Sequence, residues 1–108
     1  MLARNKVIII TDTQQRIVFA SSNITVMKDY LPSEVLGQTP RMFQGEATES
    51  KTRAVIRRAM SRLRPFHVVM TNYRKNGTSY RCEINVQPVL SKTHFPTHFI
   101  AFQNIVGE

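Results

Sequence analysis

The chain has 108 residues with 42% hydrophobic content, enough for one compact domain with a core and too few for two. No apolar run approaches a bilayer span, and the stretch 7–10 is too short for a signal-peptide core, so a soluble cytoplasmic domain without membrane insertion is expected. Fifteen Lys and Arg against seven Asp and Glu give a net charge of +8, and the single Cys82 excludes an internal disulfide.

Residues 7–11 and 16–20 are short β-branched and apolar runs separated by Asp12-Thr13-Gln14-Gln15, which predicts a first hairpin. Ser21, Ser22 and Asn23 offer caps for a short helix over 24–29. Pro32 suits a first helical position and Gly37 a helix stop, predicting a one-turn helix between them. Residues 38–45 show no clear period. Thr48 followed by Glu49 resembles the cap and first turn of the longest helix, with Ile56, Ala59, Met60 and Leu63 on one apolar face and Pro65 at its end. Six of the fifteen basic residues fall between Lys51 and Arg64, flanking that face.

From Phe66 the period changes to two. Phe66, Val68, Met70 and Asn72 share one face, and Asn76-Gly77 predicts a hairpin joining strands 66–74 and 78–90. In the second strand Tyr80, Cys82, Ile84 and Val86 share a face. After a loop at 91–96 a last strand over 97–104 places Phe99, Ala101 and Gln103 opposite His98, Ile100 and Phe102. Two strands, several helices and three strands predict an α+β domain: a five-stranded antiparallel sheet with short helices and one longer helix packed on one face.

His67, His94 and His98 lack the spacing of a zinc site, and no nucleotide-loop, nucleophile-elbow or paired-carboxylate signature occurs. Neither a metal site nor an enzyme is expected. The basic flank of the long helix carries no base-reading element, so specific nucleic-acid recognition is not expected either.

Tyr30 and Gly37 seven residues apart, the strand order and the closing Phe102-Gln103-Asn104-Ile105 resemble a PAS domain across nearly the whole chain. Within that superfamily, the segment Gly37-Gln38-Thr39-Pro40-Arg41-Met42-Phe43-Gln44-Gly45 resembles the signature G-x-N-C-R-F-L-Q-G of the flavin-binding LOV (light-oxygen-voltage) branch. Asn72-Tyr73-Arg74-Lys75-Asn76-Gly77 resembles its N-Y-x-K-x-G hairpin, at the same mutual spacing. The resemblance implies flavin-phosphate contacts at Arg41 and Arg57, a ribityl contact at Gln44, a ring-edge contact at Asn72 and a hydrogen-bond-switching glutamine at Gln103. Pro40 stands where the family has its reactive cysteine, so the resemblance implies no thiol-adduct photocycle. Thr39 replaces the preceding asparagine, and Cys82, a weaker hydrogen-bonding group, replaces the second ring-edge asparagine. Weak affinity for FMN or another flavin is the consequence.

A sensory module that relays a change in its pocket to an output domain in the same chain, such as a histidine kinase, is therefore expected. The other reading is a cofactor-free dimerisation module whose pocket is plugged by Met42, Phe43, Met60 and Met70. The outward set His98, Ile100 and Phe102, extended by Val69 and Tyr73, predicts a homodimer through the outer sheet face.

Overall fold

The computed structural model describes residues 6–107. One antiparallel sheet contains β1 (Val7–Asp12), β2 (Ile17–Ala20), β3 (Phe66–Tyr73), β4 (Ser79–Leu90) and β5 (Pro96–Ile105), in the spatial order β2-β1-β5-β4-β3. Between β2 and β3 run α1 (Ile24–Lys28), α2 (Pro32–Val35), a 3-10 turn (Pro40–Phe43) and α3 (Ser50–Ser61). The architecture is the expected α+β one. Strand β5 lies at the centre between β1 and β4, with Val7 of β1 opposite Gln103 and Asp12 opposite His98.

Alternation along the strands builds the core. Val7 and Ile9 of β1, Val68 and Met70 of β3, and Cys82 and Ile84 of β4 all point to the helical side and are buried. The turn between β3 and β4 closes through Asn76-Gly77, where Gly77 adopts φ +90, a conformation glycine takes without a Cβ clash. The Gly77 amide donates to the Arg74 carbonyl at 2.9 Å.

Several helix-boundary residues do other work than expected. The side chains of Ser21 and Asn23 leave α1 uncapped: Ser21 Oγ accepts the Ile8 amide, and Asn23 Nδ2 donates to the Lys6 carbonyl, fastening the helix to the sheet. Thr48 is no cap for α3, whose N-terminal flanking residue is Glu49. The buried Thr48 hydroxyl donates to the Thr71 carbonyl and accepts the Gly45 amide, because a hydroxyl enclosed between loop and β3 must find local partners. Glu49 likewise turns to β3, accepting the Thr71 amide at 3.0 Å and pairing with Arg81. Chiefly through the Thr71 bond, its carboxyl pKa is held down to about 2.

The long helix also stops earlier than its apolar spacing predicts. It ends at Ser61, well before Pro65, and Leu63 lies beyond it at φ +54 and is exposed. The Arg64 amide, donating to the Ala59 carbonyl, closes the end in place of a further helical turn. No residue of α3 is fully buried. Its apolar residues Ile56 and Met60 roof a cavity instead of entering the tight core.

Candidate functional site

Between the sheet and the helices two adjoining spaces share walls formed by Gln15, Arg41, Gln44, Ile56, Met60 and Phe99. The outer one is a cleft of about 600 Å³, to which Arg53 and Arg57 also contribute. The inner chamber holds about 100 Å³ and reaches in to Asn72 of β3 and Gln103 of β5. Period-two alternation aims both amides inward: Asn72 is 3% exposed and Gln103 4%. Pro40, Phe43 and Met70 also line the chamber.

Five of the residues singled out from the sequence, Arg41, Gln44, Arg57, Asn72 and Gln103, are thus brought to the walls of these spaces. Thr39 and Cys82 are not among the lining residues. Thr39 precedes the 3-10 turn, where its carbonyl accepts the Met42 amide. Cys82 is fully buried, and its thiol donates to Gln103 Oε1 at 3.5 Å. Cys82 is opposite Met70 in the β3–β4 register, whereas Asn72 is opposite Tyr80; the longer amides of Asn72 and Gln103 reach the chamber, and the short thiol is taken up by Gln103. Burial pushes the thiol pKa up, although the nearby Lys28 ammonium opposes that shift.

The sequence reading missed Lys28. Its side chain is completely enclosed, with Nζ donating to Tyr80 Oη at 2.6 Å and standing 4.4 Å from the centre of the Phe43 ring. Desolvation brings its pKa down to about 8, partly offset by Cys82. The Tyr80 hydroxyl stands beside Asn72 and Cys82, and its pKa is raised by burial. A buried polar chain therefore runs from Lys28 through Tyr80 toward the chamber wall. The signal was available: Ile24, Met27 and Lys28 fall at helical i, i+3 and i+4 positions, and all three are buried.

On the opposite sheet face, Ile100 and Phe102 are half-buried and lie opposite Ile10 and Ile8 of β1, while Ile10 also faces Phe19 of β2. The apolar strip therefore runs over β2, β1 and β5. Tyr73 is not a free member of it, since its ring packs over Gly45 and its hydroxyl accepts the Ala47 amide. His67, Glu83 and Asn104 form a polar cluster beside the strip. Among the described residues no group of His, Cys, Asp and Glu could hold a metal, and no helix is long and apolar enough to cross a membrane.

Residues 5–105 match the family model described as PAS domain. The chain is 31% identical over 102 residues to a blue-light photoreceptor of Listeria monocytogenes, covering 92% of this chain and 40% of that protein. It is 28% identical over 87 residues to a blue-light-activated histidine kinase of Brucella ovis, covering 81% of this chain and 18% of the kinase. The chain thus spans less than half the length of either relative. Among solved structures, a light-oxygen-voltage domain studied with a flavin analogue superposes with a TM-score of 0.92 at 26% identity, covering 99% of this chain and 82% of that one. The light-state dimer of the fungal blue-light photoreceptor Vivid gives 0.86 at 26% identity, covering 92% and 76%. Element order, the inward amides and a family match along nearly the full length converge: this chain belongs to the PAS domain family.

Proposed function

We propose that this domain is a LOV-type sensory module that holds a flavin between sheet and helices and relays the state of that flavin to an output domain. The observation that carries the reading is the graded chemistry of two adjoining spaces: the amides of Asn72 and Gln103 in the inner one, Gln44 on the wall they share, and the guanidinium groups of Arg41 and Arg57 along the outer one. Amides can pair with a heteroaromatic polar edge, and guanidinium forks with a phosphate. That donor set fits a ring carrying a phosphate tail. A bound flavin supplies visible absorption and redox chemistry.

The inner chamber, at about 100 Å³, is smaller than the roughly 300 Å³ at which pockets begin to bury drug-sized ligands. Met60 and Met70 in its walls are the adaptable side chains that must move to admit the ring. The same smallness favours a second reading, a cofactor-free module. Met60, Met70 and Phe43 do line the chamber as that reading requires, whereas Met42 does not.

Within the flavin reading, light chemistry proceeds without a thiol adduct. Pro40 lines the chamber and carries no sulfur, and the Cys82 thiol is enclosed and bonds to Gln103. The test is to purify the chain, add FMN, remove free cofactor and record absorption before and after illumination. A retained visible band that does not collapse to a single near-ultraviolet band in the native chain, but does so in Pro40→Cys, supports the reading. Failure of both proteins to retain flavin favours the cofactor-free module.

Signal output follows from the two faces of β5. Gln103 faces the chamber while its neighbours Phe102 and Asn104 face outward, so a changed hydrogen bond at Gln103 shifts a strand that also forms the outer surface. We place the dimer contact on the strip of Ile8, Ile10, Ile100 and Phe102, and an output domain such as a histidine kinase in the same full-length protein. The Vivid light-state dimer supports association of such domains. Sedimentation should show concentration-dependent dimerisation that Phe102→Glu weakens by about tenfold or more, since a charge would be buried at the contact. A native chain that stays monomeric at high concentration rules this contact out.

A further inference from the structure

We propose that the outer cleft is a diphosphate site, with Arg53 as the residue that selects a flavin dinucleotide over a mononucleotide. This deepens the flavin reading and rests on it for the ring, though not for the anion.

Three arginines line the cleft: Arg41 from the 3-10 turn, and Arg53 and Arg57 from α3. Among the described residues no aspartate or glutamate lines it. Among the described residues the ion pairs are His67–Glu83, Lys75–Glu34 and Arg81–Glu49, so none of the three arginines has a carboxylate partner. Arg53 and Arg57 are four residues apart on one helix, which places them side by side, about 5–6 Å apart at Cβ. Like charges at this spacing mildly destabilise a helix, and an anion held between them offsets that repulsion.

Arg53 is also oriented. One of its guanidinium nitrogens donates to the Gly45 carbonyl at 3.2 Å, next to Gln44, which lines both the cleft and the chamber. The remaining donors of the fork stay available to a ligand leaving the chamber. Arg41 and Arg57 suffice for one phosphoryl group, and Arg53 adds the donors for a second. Beyond them Leu63 and Pro96 give the rim an apolar surface on which the base of a dinucleotide can rest. A solvated basic helix flank explains the charge of Arg53 but not why it borders the same carboxylate-free cleft as Arg41 and Arg57.

The test titrates the intact chain and Arg53→Gln with FMN and FAD, reading flavin fluorescence, and with AMP and ADP, reading the melting temperature. The native chain should bind FAD about tenfold tighter than FMN, the size of one charge-assisted hydrogen bond, and Arg53→Gln should remove the preference while sparing FMN affinity. Equal FMN and FAD affinities in the native chain, or an equal loss for both in the variant, overturn the proposal and leave the flavin reading standing. If neither flavin binds, a melting shift by ADP greater than by AMP that disappears in Arg53→Gln still supports a diphosphate site. Absence of any ADP effect in that case overturns it.

Discussion

Lys28→Met should stabilise the domain by about 1–2 kcal/mol at neutral pH, and the gain should fade as the pH rises. The lysine is completely enclosed, and the nearby charged or ionisable groups are Arg74, Cys82 and Tyr80, with no carboxylate hydrogen-bonded to the ammonium. Lowering its pKa from 10.5 to about 8 corresponds to about 3 kcal/mol of disfavour for the charged form. The bond to Tyr80 and the contact with the Phe43 face are lost on substitution, which returns roughly 1–2 kcal/mol. Methionine fills a similar volume without a charge.

The pH dependence has a definite sign. In the folded chain Lys28 gives up its proton near pH 8 and in the unfolded chain near 10.5, so between these values the unfolded state binds more protons and native stability from this group rises with pH. The variant lacks that rise, and the gap between the two proteins narrows from about pH 8 upward. Cys82 and Tyr80 titrate in both proteins, with pKa values raised by burial. Their contribution is lost as alkali ionises the unfolded chain, and it cancels in the difference apart from the Lys28–Cys82 coupling, whose removal lets burial raise the thiol further in the variant. Urea melts at pH 7 and pH 9.5 provide the measurement. A variant less stable than the native chain at pH 7 would show that the ammonium is held by more than Tyr80 and the ring.

The second large effect is expected at Phe43. Phe43→Ala should cost about 3–5 kcal/mol, a fall in Tm of more than 10 °C for a domain of this size. Phe43 is 1% exposed, meets Tyr30 edge-on with centroids 5.7 Å apart, and lies beneath Lys28 Nζ. Truncation removes this packing and opens a route from the chamber to a buried cation. Phe43→Leu should restore most of the loss, leaving a deficit of about 1 kcal/mol from the ring's interaction with the ammonium. In the Lys28→Met background that residual deficit should shrink, because two side chains in contact do not contribute independently. Full additivity of Phe43→Leu and Lys28→Met in thermal melts would show that the contact carries no energy.

The local structure was legible where a short stretch of sequence sufficed to specify it. Asn76-Gly77 marks the β3–β4 turn, Pro32 opens α2, and period-two alternation orients Asn72 and Gln103 inward. What stayed hidden depends on partners distant in the chain. Thr48 looks like a cap until Thr71 is placed beside it, and Leu63 looks like a fourth apolar contact until the helix closes early through Arg64. The pairing of β5 with β1 places Ile8 and Ile10 beside Phe102 and Ile100, a contact that periodicity within either strand cannot reveal. In the site, the resemblance to the LOV signature singled out Arg41, Gln44, Arg57, Asn72 and Gln103, and the folded chain brings all five to the walls of the two spaces. The resemblance could not show that the Cys82 thiol bonds to Gln103, or that a lysine lies beneath the aromatic wall.

The pairing of β1 with β5 also fixes how the domain bears a mechanical load. Because these neighbouring strands are antiparallel and Val7 lies opposite Gln103, the chain enters β1 and leaves β5 at the same end of the sheet. Tension pulling those two ends apart loads the ladder like a zipper, one rung after another, instead of shearing all rungs together. In the β1–β5 ladder the first rung to yield is the one between Val7 and Gln103, while Asn104 and Ile105 beyond it are held by Glu83 and Cys82 of β4. Tension across those two ends therefore strains the rung at Gln103 before the deeper rungs of the β1–β5 ladder, which couples a residue of the chamber wall to load applied at the strand ends.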